Sequence, residues 1–328
     1  MINEKAIKRI GNLPEIIVIT GPTATGKSAL GVFLAKAVDG EIVSADSMQV
    51  YMHMKIGTAA PSAEEMCDIP HHMIGFVPPS ENYSVARYVK DAVKYVDDIL
   101  LRGKLPIIVG GSGLYIDSLI AGRCFPARGD VILRKNLETE YDDIGGERML
   151  LKLRSVDTKS AEKLKANDKK RVVRALEAFF TTGKPVSAHD MESGKLPPRY
   201  NALMIALNYE DRTELYSKID RRVDKMMTGG LLHEVESLLE MGVSYSNTSM
   251  QAIGYKELSA TLIENRESIK EADIKDAVAK IKMESRRYAK RQLTWLRRNK
   301  NVVWITWKNS PDFNSAVLKI TELLNEKK

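Results

Sequence analysis

The chain has 328 residues, 44% apolar and 28% charged, with a net charge of +7. That is the balance of a soluble globular protein with room for one large or two modest domains, and the basic excess favours a polyanionic partner. Cys67 and Cys124 stand far apart without metal-ligand spacing, "MINEKAIKRIGNLP" lacks an apolar core, and no run approaches about 18 apolar residues; the expectation is a cytoplasmic protein with no disulfide scaffold, secretory leader or membrane span.

In chain order, "EIIVIT" (15–20) is a short continuous apolar run, the pattern of a strand buried on both faces. Leu30, Phe33, Leu34, Ala37 and Val38 then repeat at helical spacing. "EIVSADSMQVY" (41–51) reads as a second strand and "HHMIGFV" (71–77) as a third. Ser84 is placed to cap a helix whose core stripe is Val85, Tyr88, Val89, Ala92, Val93, Val96, Ile99 and Leu100. "LPIIVGG" (105–111), entered by a proline and left through two glycines, is a further strand. This alternation predicts an α/β fold with a doubly wound parallel sheet.

From Gly122 to Tyr200 the β-type apolar runs vanish and charged helical segments follow one another. This stretch reads as an inserted helical domain over 123–199, dividing a catalytic core of 1–122 and 200–328. Within it, "NDKKRVVRALEAFF" reads as a capped helix with one basic and one apolar face. "NALMIALNY" (201–209) resumes strand character, and Asp211 caps a helix carrying Leu215, Ile219, Val223 and Met226. Leu231 to Met241 forms another helix with Gly242 as its stop. A basic helix over about 273–298 and a strand "NVVWITW" (301–307) follow. Between Lys280 and Lys300 the cations crowd against one acid, Glu284, with Tyr288 and Trp295 interleaved. The run is either a solvated helix face or an RNA surface, and Trp295 suits a core as well as a stacking role.

"GPTATGKS", Gly21 to Ser28, matches G-x-x-x-x-G-K-[ST] between a strand and a helix. Its glycines turn consecutive N–H groups towards one anion, the helix start adds roughly half a positive charge, and Lys27 a full one. Ser28 can help to hold a magnesium ion. The motif predicts a bound di- or triphosphate without saying which. The strand that would carry a second magnesium acid in a nucleotide hydrolase or kinase ends instead in Gly110 and Gly111, presenting Ser112 and Tyr115. The acid is Asp46, which belongs to the crevice at the carboxyl ends of the strands as a turn cap, a general base or a metal ligand. His71 and His72 lack metal-site companions and read as structural.

The blocks "GPTATGKS", "SADSMQVY", "IGTAAPS", "PHHMI", "GGSGLY", "RRVDKMMTGGLLHEV", "AIGYKEL" and "KRQLTWLRRNKNVVWI" occur together and in order from Ile16 to about Trp307. In this the chain resembles the tRNA dimethylallyltransferase (tRNA isopentenyl-diphosphate transferase) family, with Ala60 and Gly75 as local departures. The resemblance implies a P-loop doubly wound parallel sheet with an inserted helical domain, contacting tRNA. It also implies transfer of a dimethylallyl group from dimethylallyl diphosphate to N6 of the adenosine 3′-adjacent to the anticodon. The diphosphate would then sit on Gly21, Pro22, Thr23, Ala24, Thr25, Gly26, Lys27 and Ser28 with Mg²⁺. Asp46, Ser112 and Arg222 would be catalytic, Asp46 as the base. The anticodon stem-loop would meet Asp46, Ser47, Met48, Gln49 and Ser112, then Arg134, Lys170, Arg171 and Arg174 in the insert. Gln251, Gly254, Tyr255, Lys256, Lys290, Arg291, Trp295 and Arg297 would complete the surface of a monomer. An ATP-dependent phosphotransferase, a prenyltransferase of free adenine nucleotides and a non-catalytic RNA binder are the rivals, each less suited to a phosphate loop, Asp46 and a basic helix together.

Overall fold

The computed structural model describes residues 15–123, 125, 130–195, 197–264 and 269–326; the 1–14 segment and Cys124, discussed above, lie outside the described residues. The chain divides into two compact units, one of residues 1–120 and 199–328, the other of residues 121–198.

In chain order the elements run β1 (Glu15–Thr20), α1 (Lys27–Val38), β2 (Gly40–Ser44), α2 (Ala63–Met66), β3 (His71–His72), α3 (Val85–Leu101), β4 (Leu105–Val109) and α4 (Gly113–Ala121). Helices α5 (Val131–Ile144), α6 (Gly146–Val156), α7 (Thr158–Lys163), α8 (Lys169–Thr182) and α9 (Val186–Lys195) make the second unit. Then come β5 (Asn201–Tyr209), α10 (Arg212–Thr228), α11 (Leu231–Glu240), α12 (Tyr255–Glu264), α13 (Glu271–Leu296), β6 (Val303–Trp307) and α14 (Phe313–Glu326).

Six parallel strands lie in the order β3-β2-β4-β1-β5-β6. Strand β1 is central, with Val18 opposite Ile108 on one side and Met204 on the other. Ile16 to Thr20 are all buried, which explains the uninterrupted apolar run: in a sheet covered on both faces alternation has no purpose. Each such Ile or Val contributes about 1.5–3 kcal/mol on leaving water. Because every strand points the same way, the segments after β1, β2 and β4 share one edge of the sheet, and they carry the phosphate loop, Asp46 and Ser112.

Strands β4 and β6 each fall two residues short of the predicted runs, and two other predicted strands are shortened much further. The second stops at Ser44, because the Asp46 carboxylate folds the next residues into a turn; pairing resumes only as an isolated bridge between Tyr51 and Val77. The third keeps only His71 and His72, since Met73 and Gly75 take positive φ (68° and 61°) and leave the sheet. Ser84 Oγ accepts the Arg87 N–H and Asp211 Oδ1 that of Thr213, capping α3 and α10 as their side-chain types predict.

In the second unit, Leu137 and Tyr141 of α5, Met149 and Leu153 of α6, Ala161 of α7 and Val172, Val173 and Leu176 of α8 form the core. Helix α8 presents the predicted apolar face, but Asp168 at its start makes no side-chain cap; its Oδ2 accepts the Lys165 N–H instead, at 3.4 Å.

Candidate active site

The loop from β1 to α1 is shaped by backbone that only certain residues tolerate. Ala24 and Gly26 have φ of 65° and 85°, and glycine reaches this left-handed region without steric cost. Thr25 Oγ1 donates to the Pro22 carbonyl at 2.8 Å, and Trp307 Nε1 to the Thr25 carbonyl at 3.0 Å, so β6 braces the loop. Lys27 Nζ also donates to the Pro22 carbonyl, at 2.9 Å. Burial, and next the Arg222 guanidinium, push the Lys27 ammonium down to about 7, while Asp46 pulls it upward. Ser28 stands exposed at the first turn of α1.

One predicted donor is already engaged. The Thr23 N–H is held by Gln292 Oε1 at 3.0 Å, and Gln292 Nε2 donates to the Gly111 carbonyl at 3.1 Å. A buried side chain of α13 therefore ties the phosphate loop to the end of β4, and Thr23 cannot offer its amide to an anion without releasing Gln292.

Asp46 is a cap, and it also faces the crevice. Its Oδ1 accepts the N–H groups of Met48 (2.8 Å) and Gln49 (3.3 Å), while Oδ2 has no hydrogen bond among the described residues. It lies close enough to Lys27 and Arg222 to raise both cations against the lowering effect of burial. Ser112 reaches the same turn from β4: its Oγ accepts the Ser47 N–H at 3.0 Å and donates to Ser47 Oγ at 3.3 Å. Ser112 thus fixes the Asp46 turn, through bonds that a catalytic serine would need free. Gln49 likewise faces inward, its Nε2 donating to the carbonyls of Thr58 (3.3 Å) and Ala59 (3.1 Å). That leaves its amide no donor for RNA.

Two crevices meet here. The larger, about 1240 Å³, is walled by the phosphate loop, Asp46 and the segment from Met54 to Ser62. The smaller, about 310 Å³, is walled by Asp46, Ser47, Met48, Gln251 and Arg291 among others. Thr23, Asp46, Thr58, Arg222 and Tyr288 line both. Arg222 Nη2 approaches the Thr58 carbonyl at 3.5 Å. Burial raises the Tyr288 hydroxyl to about 12, with Asp46 adding to the effect, so it remains a proton donor.

The remaining predicted residues separate into groups. Lys290, Arg291 and Arg297 are exposed on or just past α13, and Arg291 lies over the Tyr288 ring at 5.6 Å. The basic run is less free than its sequence implies. Asp220 and Asp224 of α10 bind Arg286 and Lys282, each at 2.6 Å, and Glu284 takes Arg287. Trp295 is half-buried, its indole across Gly113 and its Nε1 donating to Asp117 at 2.8 Å, so it anchors α13 to α4. Gln251 and Lys256 are exposed and Gly254 turns with φ 98°, but Tyr255 is fully buried with its hydroxyl on Glu234. Its side chain cannot meet RNA from there. In the second unit, Lys170 and Arg171 are exposed. Arg134 and Arg174 both bind the buried Glu177 carboxylate, at 3.0 and 2.8 Å.

Gln292 and Glu234, central to this geometry, stand inside recognisable blocks, yet nothing in either block shows which distant backbone they hold. Among the described residues no three His, Cys, Asp or Glu side chains cluster as a metal site. His72 Nε2 pairs with Glu41 Oε2 at 2.9 Å and its ring stacks on Tyr95, while His71 Nδ1 lies 2.7 Å from the Ile69 carbonyl.

A parallel α/β sheet with a glycine-turned loop and a helix start at the carboxyl end of its central strand defines a P-loop protein. The family model described as "IPP transferase" matches residues 49–299, and that of "Isopentenyl transferase" residues 14–72. The tRNA dimethylallyltransferase of Acetivibrio thermocellus is 47% identical over 92% of this chain and 94% of its own. The solved structure of the full-length tRNA isopentenylpyrophosphate transferase of Bacillus halodurans has a TM-score of 0.69 at 39% identity, covering 95% of this chain and 96% of that one. A eukaryotic dimethylallyltransferase acting on tRNA reaches 0.81 at 28% identity, over 96% of this chain and 80% of its own. The chain belongs to the IPP transferase family.

Proposed function

We propose that this chain transfers a dimethylallyl group from dimethylallyl diphosphate to the N6 amine of the adenosine 3′-adjacent to the anticodon of tRNA. The observation that carries this reading is the pair of crevices joined at Asp46 and Arg222. Two chambers meeting at a carboxylate suit a donor and an acceptor that approach from different sides, with the carboxylate placed to take a proton at the junction.

The diphosphate lies on the amides of Ala24 to Ser28 with Lys27 beside it. The allylic C–O bond breaks, its electron pair passes to the diphosphate oxygen, and the N6 lone pair forms the new C–N bond. The N6 proton goes to Asp46, through the oxygen that the turn does not use. Lys27 and Arg222 face the growing negative charge. Losing one such preorganised donor costs about 3 kcal/mol, or roughly 10²–10³ in rate. Because aromatic amines are poor nucleophiles, alignment of N6 with the allylic carbon supplies much of the rest.

Magnesium fits this site as a partner of the diphosphate. Ser28 offers an exposed hydroxyl at the helix start, and such an ion takes its other ligands from phosphate and water. When bound it neutralises charge on the leaving group. The exposed cations Lys290, Arg291, Arg297 and Lys256, with Lys170, Arg171, Arg134 and Arg174 of the insert, are the phosphate contacts that hold an anticodon stem-loop. Extruding the adenine costs a few kcal/mol.

Separate incubations of the protein with labelled dimethylallyl diphosphate and either hypomodified tRNA or AMP test the reading. Label is expected in tRNA alone. Label in AMP would replace tRNA with a free nucleotide, and phosphate transfer from γ-labelled ATP without prenyl transfer would overturn the reading.

A further inference from the structure

Three sequence blocks, "IGTAAPS", "LLHEV" and "AIGYKEL", converge on one carboxylate that the chemical step does not use. Glu234, in the first turn of α11, reaches a segment 177 to 179 positions earlier in the chain. Its Oε2 accepts the N–H groups of Lys55 and Ile56, each at 2.8 Å. Its Oε1 accepts the Gly57 N–H at 3.1 Å and the Tyr255 hydroxyl at 2.5 Å. Four donors on one carboxylate form charge-assisted bonds, each roughly twice as strong as a neutral one. The Tyr255 ring lies so close that a Cβ on Gly57 would stand 2.4 Å from its Cε2. Burial and the adjacent Glu234 hold the Tyr255 hydroxyl far above its ordinary range, so it remains a donor.

The clasp leads straight to the site. The next residue, Thr58, presents its carbonyl to Arg222 Nη2 (3.5 Å) and Gln49 Nε2 (3.3 Å), and ties its hydroxyl back to the Met54 carbonyl at 2.5 Å. Thr58 lines both crevices. Without Glu234, three consecutive amides would face one another with no acceptor, and the segment would have to rearrange.

We propose that Glu234 is a positioning residue for the transfer: it fixes residues 55–57 so that the Thr58 carbonyl holds Arg222 at the junction of the two crevices. This rests on the transfer reading given above. A carboxylate that touches neither substrate thereby sets the aim of the guanidinium that faces the leaving group.

The test is Glu234→Gln, which keeps the shape but places an NH₂ against backbone N–H groups. Hydrogen exchange of the 55–58 amides is expected to quicken by about tenfold or more, with 15–20 and 201–209 unchanged. With tRNA saturating, kcat should fall about 10- to 100-fold while the KM for dimethylallyl diphosphate stays within about threefold, the pattern of an interaction realised in the transition state. Tyr255→Phe, which keeps the ring, should move both readouts the same way by a smaller factor. Wild-type kcat in Glu234→Gln, or a loss of kcat matched by equal loosening of the sheet, would overturn the positioning role. A wild-type chain with no transfer activity would instead overturn the transfer reading, and this role with it.

Discussion

Replacing Asp46 with Asn separates the two tasks that its carboxylate performs. Both turn bonds, to Met48 and Gln49, fall on Oδ1, and an amide retains a carbonyl oxygen there. The turn should therefore survive, with a change in stability under about 1 kcal/mol. What disappears is the proton acceptor. A positioned general base contributes about 10²–10⁴-fold, which at about 1.36 kcal/mol per decade corresponds to roughly 2.7–5.4 kcal/mol of barrier. Asp46→Ala removes the cap as well and should add about 1 kcal/mol of destabilisation. Single-turnover prenyl transfer at saturating tRNA reads the chemical step, and filter binding reads tRNA affinity. The expected result is a kcat lowered by at least about 100-fold in Asp46→Asn, with tRNA affinity within about threefold. Turnover above a tenth of wild type would remove Asp46 from the role of base and leave it a turn cap alone.

Gln292→Ala should strand the Thr23 N–H and the Gly111 carbonyl, cost about 1–3 kcal/mol of stability and raise the KM for dimethylallyl diphosphate about tenfold; an unchanged KM would show that the loop does not depend on this bond. Replacing Lys170, Arg171 and Arg174 together with Ala should raise the KM for tRNA about tenfold and flatten its dependence on log salt by about 2, leaving the donor's KM alone; a wild-type salt slope would exclude the insert from tRNA binding. Glu41 gives a pH test. The Arg102 guanidinium, and then His72, hold its buried carboxyl at about 2, below its ordinary 4.5. With the folded value below the unfolded one, its stabilisation is complete above about pH 4.5 and disappears as pH falls towards 2. Glu41→Gln should cost about 3 kcal/mol at pH 7 and progressively less below pH 4 in denaturant unfolding; a pH-independent difference would contradict the pairing.

Local pattern made β1, the phosphate loop and α1 legible, because burial on both faces and a glycine-turned anion loop each leave a short contiguous signature. Asp211 and Ser84 could be read as caps for the same reason. The sequence makes the second strand look longer than it is, because Val50 and Tyr51 have strand-like side chains and nothing adjacent announces that Asp46 bends the chain before them. The basic run is nearly unopposed in the sequence because its counter-charges, Asp220 and Asp224, belong to α10. Tyr255 and Gln49 looked available to RNA for the same physical reason: a side chain's partner depends on tertiary contact, and the residues that engage them lie 21 and about ten positions away.

The Tyr200 N–H donates to the Ile120 carbonyl at 3.3 Å, so the polypeptide leaves the first unit and re-enters it at adjacent points. During synthesis, β1 can acquire β4 as a neighbour early, yet its opposite edge waits for β5, which emerges only after residues 121–198 have been made. At about 5–20 residues per second, that interval lasts roughly 4–16 s. For those seconds the nascent chain displays an apolar, unpaired ladder edge in the middle of its own unfinished sheet, the kind of surface that invites a stray strand. The insertion thus sets the interval for which that edge must wait for its partner.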